Sequence, residues 1–144
     1  MIILDTNVVS ETFRPAPEPK VLAWLDAQVE SQLVTTSITV AEMMSGMELM
    51  PDGRRKEQLR RAIAEALVHF SHSKILPFDE SAAVCFATLA GAMKSQGLGI
   101  AVMDTQIAAI ALKHGATVAT RDVQPFLNAR LRVINPWEDN AAQK

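Results

Sequence analysis

The chain has 144 residues, 49% of them hydrophobic, and sets 14 Lys and Arg against 16 Asp and Glu, for a formal net charge of -2. With a pI near 5.9 it lacks the bulk positive field by which many proteins hold nucleic acid, although an enzyme that meets phosphate through metal ions needs no such field. A mean hydropathy of +0.11 excludes wholesale disorder, and a domain of this length buries roughly two-thirds of its unfolded surface.

The chain opens on Met1-Ile2-Ile3-Leu4-Asp5-Thr6-Asn7, an apolar run too short for a helix that stops at a carboxylate, a hydroxyl and an amide. Such a run reads as a strand buried on both faces of a parallel sheet, with Asp5 at its carboxyl end, where open α/β folds gather functional groups. Asp5 equally suits a cap or turn at that point. Residues 8–13 continue as a short helix or turn, and Pro15, Pro17 and Pro19 interrupt the chain. Residues 20–30 place Val21, Leu22, Trp24, Leu25 and Val29 at helical spacing, a stripe that covers a sheet. Leu33–Thr36 is the second strand. Thr39 then opens a helix through about Met50, with Met43, Met47 and Met50 among its apolar positions.

Pro51-Asp52-Gly53 ends that helix, and Asp52 suits a cap for the next. Arg54–Phe70 is amphipathic, with Leu59, Ile63, Leu67 and Phe70 on one side and Arg54, Arg55, Lys56, Arg60 and Arg61 crowding its start. Such a cluster suits phosphate contacts, but charge runs of this kind usually face water. Residues 75–78 form a third strand, and Asp79 caps a helix that Gly97 stops in a left-handed conformation. Cys85, the only cysteine, falls in this helix and reads as a small core residue, so neither a disulfide framework nor a thiolate metal site is available. Residues 98–103 are an apolar loop. Asp104 starts a helix carrying Ile107, Ile110, Ala111 and His114, and Gly115 ends it. Residues 117–120 are a fourth strand with Arg121-Asp122 at its end, and residues 132–134 a fifth.

Strands separated by helices imply parallel pairing and right-handed crossovers in an α/β domain. One domain over residues 1–137 is expected, with a polar tail over 138–144. No basic leader precedes a long apolar core and no apolar run reaches about 18 residues, so a cytoplasmic protein without membrane contact is expected.

Four carboxylates share one side of this sheet. Asp5 and Asp122 end strands, Glu42 lies in the first turn of the helix after the second strand, and Asp104 begins the helix before the fourth. Gathered there they repel one another and raise their own pKa values unless cations sit among them. Hard oxygen donors without clustered His or Cys favour Mg²⁺ or Mn²⁺ over Zn²⁺. Two such ions, about 3.5–4 Å apart, can activate a water and stabilise the leaving oxygen of a phosphodiester. Each acid also has a plainer role. Glu42 completes a T-x-x-E capping box with Thr39, and Asp104 and Asp122 suit helix caps, as Asp79 does.

In chain order, M-I-I-L-D-T-N-V-V-S-E, S-I-T-V-A-E, V-M-D-T-Q-I-A-A-I-A, H-G-A-T-V-A-T-R-D and V-I-N-P-W resemble the PIN-domain ribonucleases. More narrowly, they resemble the VapC/FitB-like toxins of bacterial type II toxin–antitoxin systems, from Met1 to Trp137. The resemblance implies a three-layer α/β/α domain around a parallel sheet of about five strands. It also implies an Mg²⁺-dependent (or Mn²⁺-dependent) endoribonuclease in which water activated at the metal attacks phosphorus. Asp5, Glu42, Asp104 and Asp122 match the acidic quartet, with Asp5 and Asp104 as direct ligands and Glu42 and Asp122 acting directly or through water. Thr120, Asn7 and Thr6 match supporting polar positions. A proline often found before the third acid is absent from residues 99–103.

The implied partners are an RNA substrate, a cognate antitoxin that also binds DNA, and a second copy of the chain. Arg14 and Arg121 are the expected RNA contacts; Trp24 and Trp137 are packing residues, and His69, His72 and His114 carry no chemistry. Two other functions compete. An Mg²⁺-dependent phosphatase of the haloacid-dehalogenase type also begins with an Asp after a buried strand, but needs a second acid where Asn7 stands. A non-catalytic PIN-like binding module has no need of all four acids.

Overall fold

The computed structural model describes residues 1–70, 74–99 and 101–139. Five strands, β1 (Ile2–Leu4), β2 (Leu33–Thr36), β3 (Ile75–Leu76), β4 (Thr117–Ala119) and β5 (Val133–Ile134), form one sheet in the order β3-β2-β1-β4-β5. Every pairing is parallel. Parallel neighbours need long crossovers. These are supplied by α1 (Thr6–Glu11), α2 (Pro19–Asp26), α3 (Ser37–Glu48), α4 (Arg54–Phe70), α5 (Glu80–Ser95), α6 (Val102–His114) and α7 (Gln124–Asn128).

Alternation along the strands divides the interior between the two faces. Ile3, Val34, Leu76 and Val118 pack with Leu89, Met93, Ile107, Ile110 and Phe126 of α5, α6 and α7. Leu4 and Ala119 pack on the opposite face with Val8, Val21, Met43, Met47, Ile63 and Phe70 of α1 to α4. The result is the three-layer α/β/α arrangement, with β1 central. Chain order reverses beside β1, between β2 on one flank and β4 on the other, which is where such sheets open a crevice at their carboxyl ends.

Several local expectations are corrected. The second helix ends at Asp26, so Val29 leaves the apolar stripe and is exposed. The third begins at Ser37 because the Thr36 hydroxyl, buried at the end of β2, accepts from the Thr39 amide at 3.1 Å. Thr39 is therefore not the cap, and Glu42 falls in the second turn, free of any capping box. Val102 starts α6, two residues before Asp104, with Ala101 in the cap position and no side-chain cap. Asp122 caps nothing either; α7, which the strand-and-helix pattern did not reveal, starts behind Val123 with Pro125 in its first turn. His114 is exposed and lies off the apolar stripe, and Cys85 is only half-buried. His72, Ser71, Ser73, Ile100 and residues 140–144 lie outside the described residues.

Candidate active site

Register decides which groups meet. Leu4 pairs with Ala119, so the next residues of β1 and β4, Asp5 and Thr120, leave the sheet side by side. Both are buried. Thr120 Oγ1 donates to Asp5 Oδ2 at 2.8 Å, and the Thr6 amide donates to Asp5 Oδ1 at 2.8 Å as Asp5 caps α1. The site and capping readings of Asp5 are thus compatible.

Thr120 is the hub of the pocket. Its hydroxyl also accepts from Asn7 Nδ2 at 3.2 Å and from the Asp122 amide at 3.1 Å. Asn7 Oδ1 accepts the Arg121 amide at 3.1 Å. These bonds fix the turn after β4 against α1. Arg121 is exposed, with its guanidinium 5.3 Å from the centre of the Trp137 ring. Trp137 packs against the interior as expected, but it also supports this cation.

Glu42 reaches the pocket from α3 and Asp104 from the first turn of α6. Burial is the main force raising the pKa of Asp5, Glu42 and Asp104. For Asp5, the Thr120 and Thr6 bonds act in the opposite direction while Asp122 adds a further upward push. For Glu42, the Thr6 hydroxyl pulls down while Asp5 and Asp104 push up. Asp104 is pushed up by Asp5 and Asp122. Asp122 is exposed, and it acts on Asp5 and Asp104 through its field. The four acids, from four separate segments, therefore share one electrostatic neighbourhood.

Glu42 Oε1 is buried and has no hydrogen-bond partner. An orphaned carboxylate oxygen is expensive to bury, and a cation satisfies it. Among the described residues no three His, Cys, Asp or Glu side chains are close enough to form a ready-made ion cage. The chemistry of the four acids, all hard oxygen, fits Mg²⁺ or Mn²⁺. Asn7 stands two residues after Asp5 and is committed to Thr120 and Arg121, so the second acid of an aspartyl-phosphate phosphatase is missing.

Two residues with structural weight in this region, Thr36 and Glu11, escaped the sequence reading, and a third, Arg55, was read only as part of a charge run. Thr36 anchors the helix that carries Glu42. Glu11 is buried, with Oε1 accepting the Glu18 amide at 2.9 Å and Oε2 lying 3.5 Å from Arg14 Nε; its spacing of three from Arg14 was the available signal. Arg55 lines a hollow of about 420 Å³ with Thr6, Arg14 and Glu42, whereas its neighbours Lys56 and Arg60 pair with Asp52 and Glu57. A larger hollow of about 810 Å³, between α1, α2 and α4, has none of the four acids in its lining.

Residues 2–130 match the PIN domain. Over 139 residues the chain is 42% identical to the toxin FitB of Neisseria gonorrhoeae, covering 96% of this chain and all of the relative. It is 43% identical over 138 residues to the VapC ribonuclease Y4jK of Sinorhizobium fredii, covering 96% and 99%. The solved structure of FitAB bound to an IR36 DNA fragment superposes with a TM-score of 0.90 at 41% identity, covering 99% of both chains. The chain belongs to the PIN-domain family.

Proposed function

We propose that this protein is an endoribonuclease toxin of a toxin–antitoxin pair, dependent on Mg²⁺ or Mn²⁺. Likeness to a VapC ribonuclease and to the toxin FitB supports the activity and the setting. The observation that carries the chemistry is the orphaned Glu42 Oε1, buried in the same neighbourhood as Asp5, Asp104 and Asp122.

Asp5 and Asp104 would hold the ion, and Glu42 and Asp122 would complete its surroundings. When bound, the ion supplies Lewis acidity and neutralises the charge that builds on phosphate. The chain's own part is positioning. Thr120 and the Thr6 amide hold both oxygens of Asp5, and Asn7 fixes the turn that carries Arg121 and Asp122. Glu42, whose Oε1 has no protein partner, would accept a proton from the attacking water. Water oxygen bonds to phosphorus, one bridging P–O bond breaks, and the released ribose oxygen takes up a proton. Arg14 and Arg121 contact neighbouring phosphates.

The partner is a cognate antitoxin that brings the complex to DNA, as FitAB is bound to a DNA fragment. A basic side chain of that antitoxin placed among the acids would occupy the position of the ion. Self-association into a homodimer, implied by the same resemblance, is checked by light scattering.

The deciding experiment is cleavage of a mixed RNA pool by wild type with Mg²⁺, by wild type with EDTA, and by Asp5→Asn with Mg²⁺. Cleavage in the first arm alone is expected, with the other two reduced by about 10²- to 10⁴-fold. Equal cleavage in all three arms rules the reading out.

A further inference from the structure

We propose that the 420 Å³ hollow between α1, α3 and α4 is a nucleotide subsite for the RNA strand beside the cleaved bond, and that Glu11 is the positioning residue for its phosphate-binding Arg14. The inference rests on the ribonuclease reading and extends it to substrate binding.

The hollow shares Thr6 and Glu42 with the acidic pocket, so a strand lying in one continues into the other. Its volume falls in the range of about 300–1,000 Å³ that suits small ligands and their fragments. Phe13, Met43 and Leu59 give it an apolar lining that fits the face of a base. Arg14 and Arg55 add two cations, both on exposed residues, and among the described residues Arg55 has no carboxylate partner. Cations set beside an acidic centre suit an anionic strand and oppose a basic one, which favours RNA as the occupant.

Glu11 explains why Arg14 stands there. The side chain of Glu11 is 7% exposed and that of Arg14 66%. The pair meets through Arg14 Nε, leaving the terminal fork that recognises phosphate for another ligand. The same carboxylate ties down the Glu18 amide across the segment containing Pro15 and Pro17. A buried anchor thus orients an exposed cation without hiding it.

The test is fluorescence anisotropy of a labelled 12-nucleotide RNA of mixed sequence, in EDTA, over a salt series. Arg14→Gln and Arg55→Gln are each expected to weaken binding roughly 3- to 10-fold and to reduce the salt slope by about 0.7, the share of one single-strand phosphate. Glu11→Gln keeps an oxygen for the Glu18 amide but loses the charge facing Arg14. It is expected to weaken binding as Arg14→Gln does, and the double variant to be no weaker than Arg14→Gln alone. Unchanged affinity and slope in both arginine variants overturn the subsite. A Glu11→Gln protein that melts earlier but binds RNA with wild-type affinity and slope overturns the positioning role. A deca-glutamate peptide that binds as tightly as RNA, and is lost in the same variants, assigns the hollow to an acidic protein and also overturns the inference. Failure of wild type to bind or cleave any RNA strikes the ribonuclease reading instead.

Discussion

Thr120 carries more of the pocket's geometry than any one of the acids. It is fully buried, its hydroxyl donates to Asp5, and its oxygen accepts from Asn7 and Asp122. Thr120→Val keeps the shape but strips Asp5 of a bond to its charged form. The expected cost is about 1–3 kcal/mol of stability, the usual penalty for an unsatisfied buried polar group. The Asp5 carboxyl also moves further up, because a hydrogen bond that favoured ionisation is gone. Thr120→Ser, which retains the hydroxyl, should restore most of both. Thermal unfolding and RNA cleavage measured on the two variants check this; a Val variant as active and as stable as wild type would contradict it.

At the scale of elements, caps decide where the acids stand. Thr36 closes β2 and opens α3 in one residue, so the helix bearing Glu42 is registered directly to the sheet. Thr36→Ala is expected to cost about 1 kcal/mol through the lost cap, a fall in Tm of roughly 2–4 °C, and to lower cleavage as Glu42 loses its placement. Asp79 is the contrasting case. It caps α5 through the Ala82 amide and meets Lys113, which holds its carboxyl below the ordinary range. Asp79→Ala should lower Tm and leave cleavage intact, and a loss of cleavage comparable to that of Thr36→Ala would show that capping alone is at work in both.

The same comparison explains what the sequence could reveal. Strand positions and the order of helices were legible because apolar runs and amphipathic stripes are local patterns. The cap of α3 was misplaced by three residues because Thr36 and Thr39 both offer a capping hydroxyl, and only pairing of β2 with β1 and β3 decides between them. Asp104 was displaced from a cap to the first turn because α6 begins without any capping side chain. The convergence of the acids depends on parallel register across residues more than a hundred apart, as in the bond from Thr120 to Asp5. Strand ends and helix starts placed the acids on one side of the sheet in advance, and family likeness matched them to a quartet. Glu11, whose partners lie three and seven residues on, left a weaker trace than its burial warrants.

At the scale of the whole molecule, the buried acids of the pocket oppose folding as they ionise. Asp5, Glu42 and Asp104 have pKa values raised from ordinary values of 3.8, 4.5 and 3.8, chiefly by burial. Between those values and the raised ones, the folded chain binds more protons than the unfolded chain, so stability falls as pH rises through that window. Asp79, held low, acts in the opposite sense, but it is exposed and its contribution is screened. In EDTA, the Tm should therefore decline as pH rises from the ordinary carboxylate range through the raised values. Mn²⁺ at about a hundred times its Kd adds about 2.7 kcal/mol, worth roughly 5–10 °C, and adds less at pH 5, where protons compete for the same oxygens. Glu42→Gln removes one repelling charge and the orphaned anionic oxygen. It should raise the metal-free Tm at pH 7.5 while shrinking the gain from Mn²⁺. Differential scanning fluorimetry of both proteins, at both pH values and with and without Mn²⁺, reads all of these together. A metal-free Tm that does not fall with pH, or a Glu42→Gln protein that gains as much from Mn²⁺ as wild type, would mean that the acids are not held together at folding's expense for the sake of an ion.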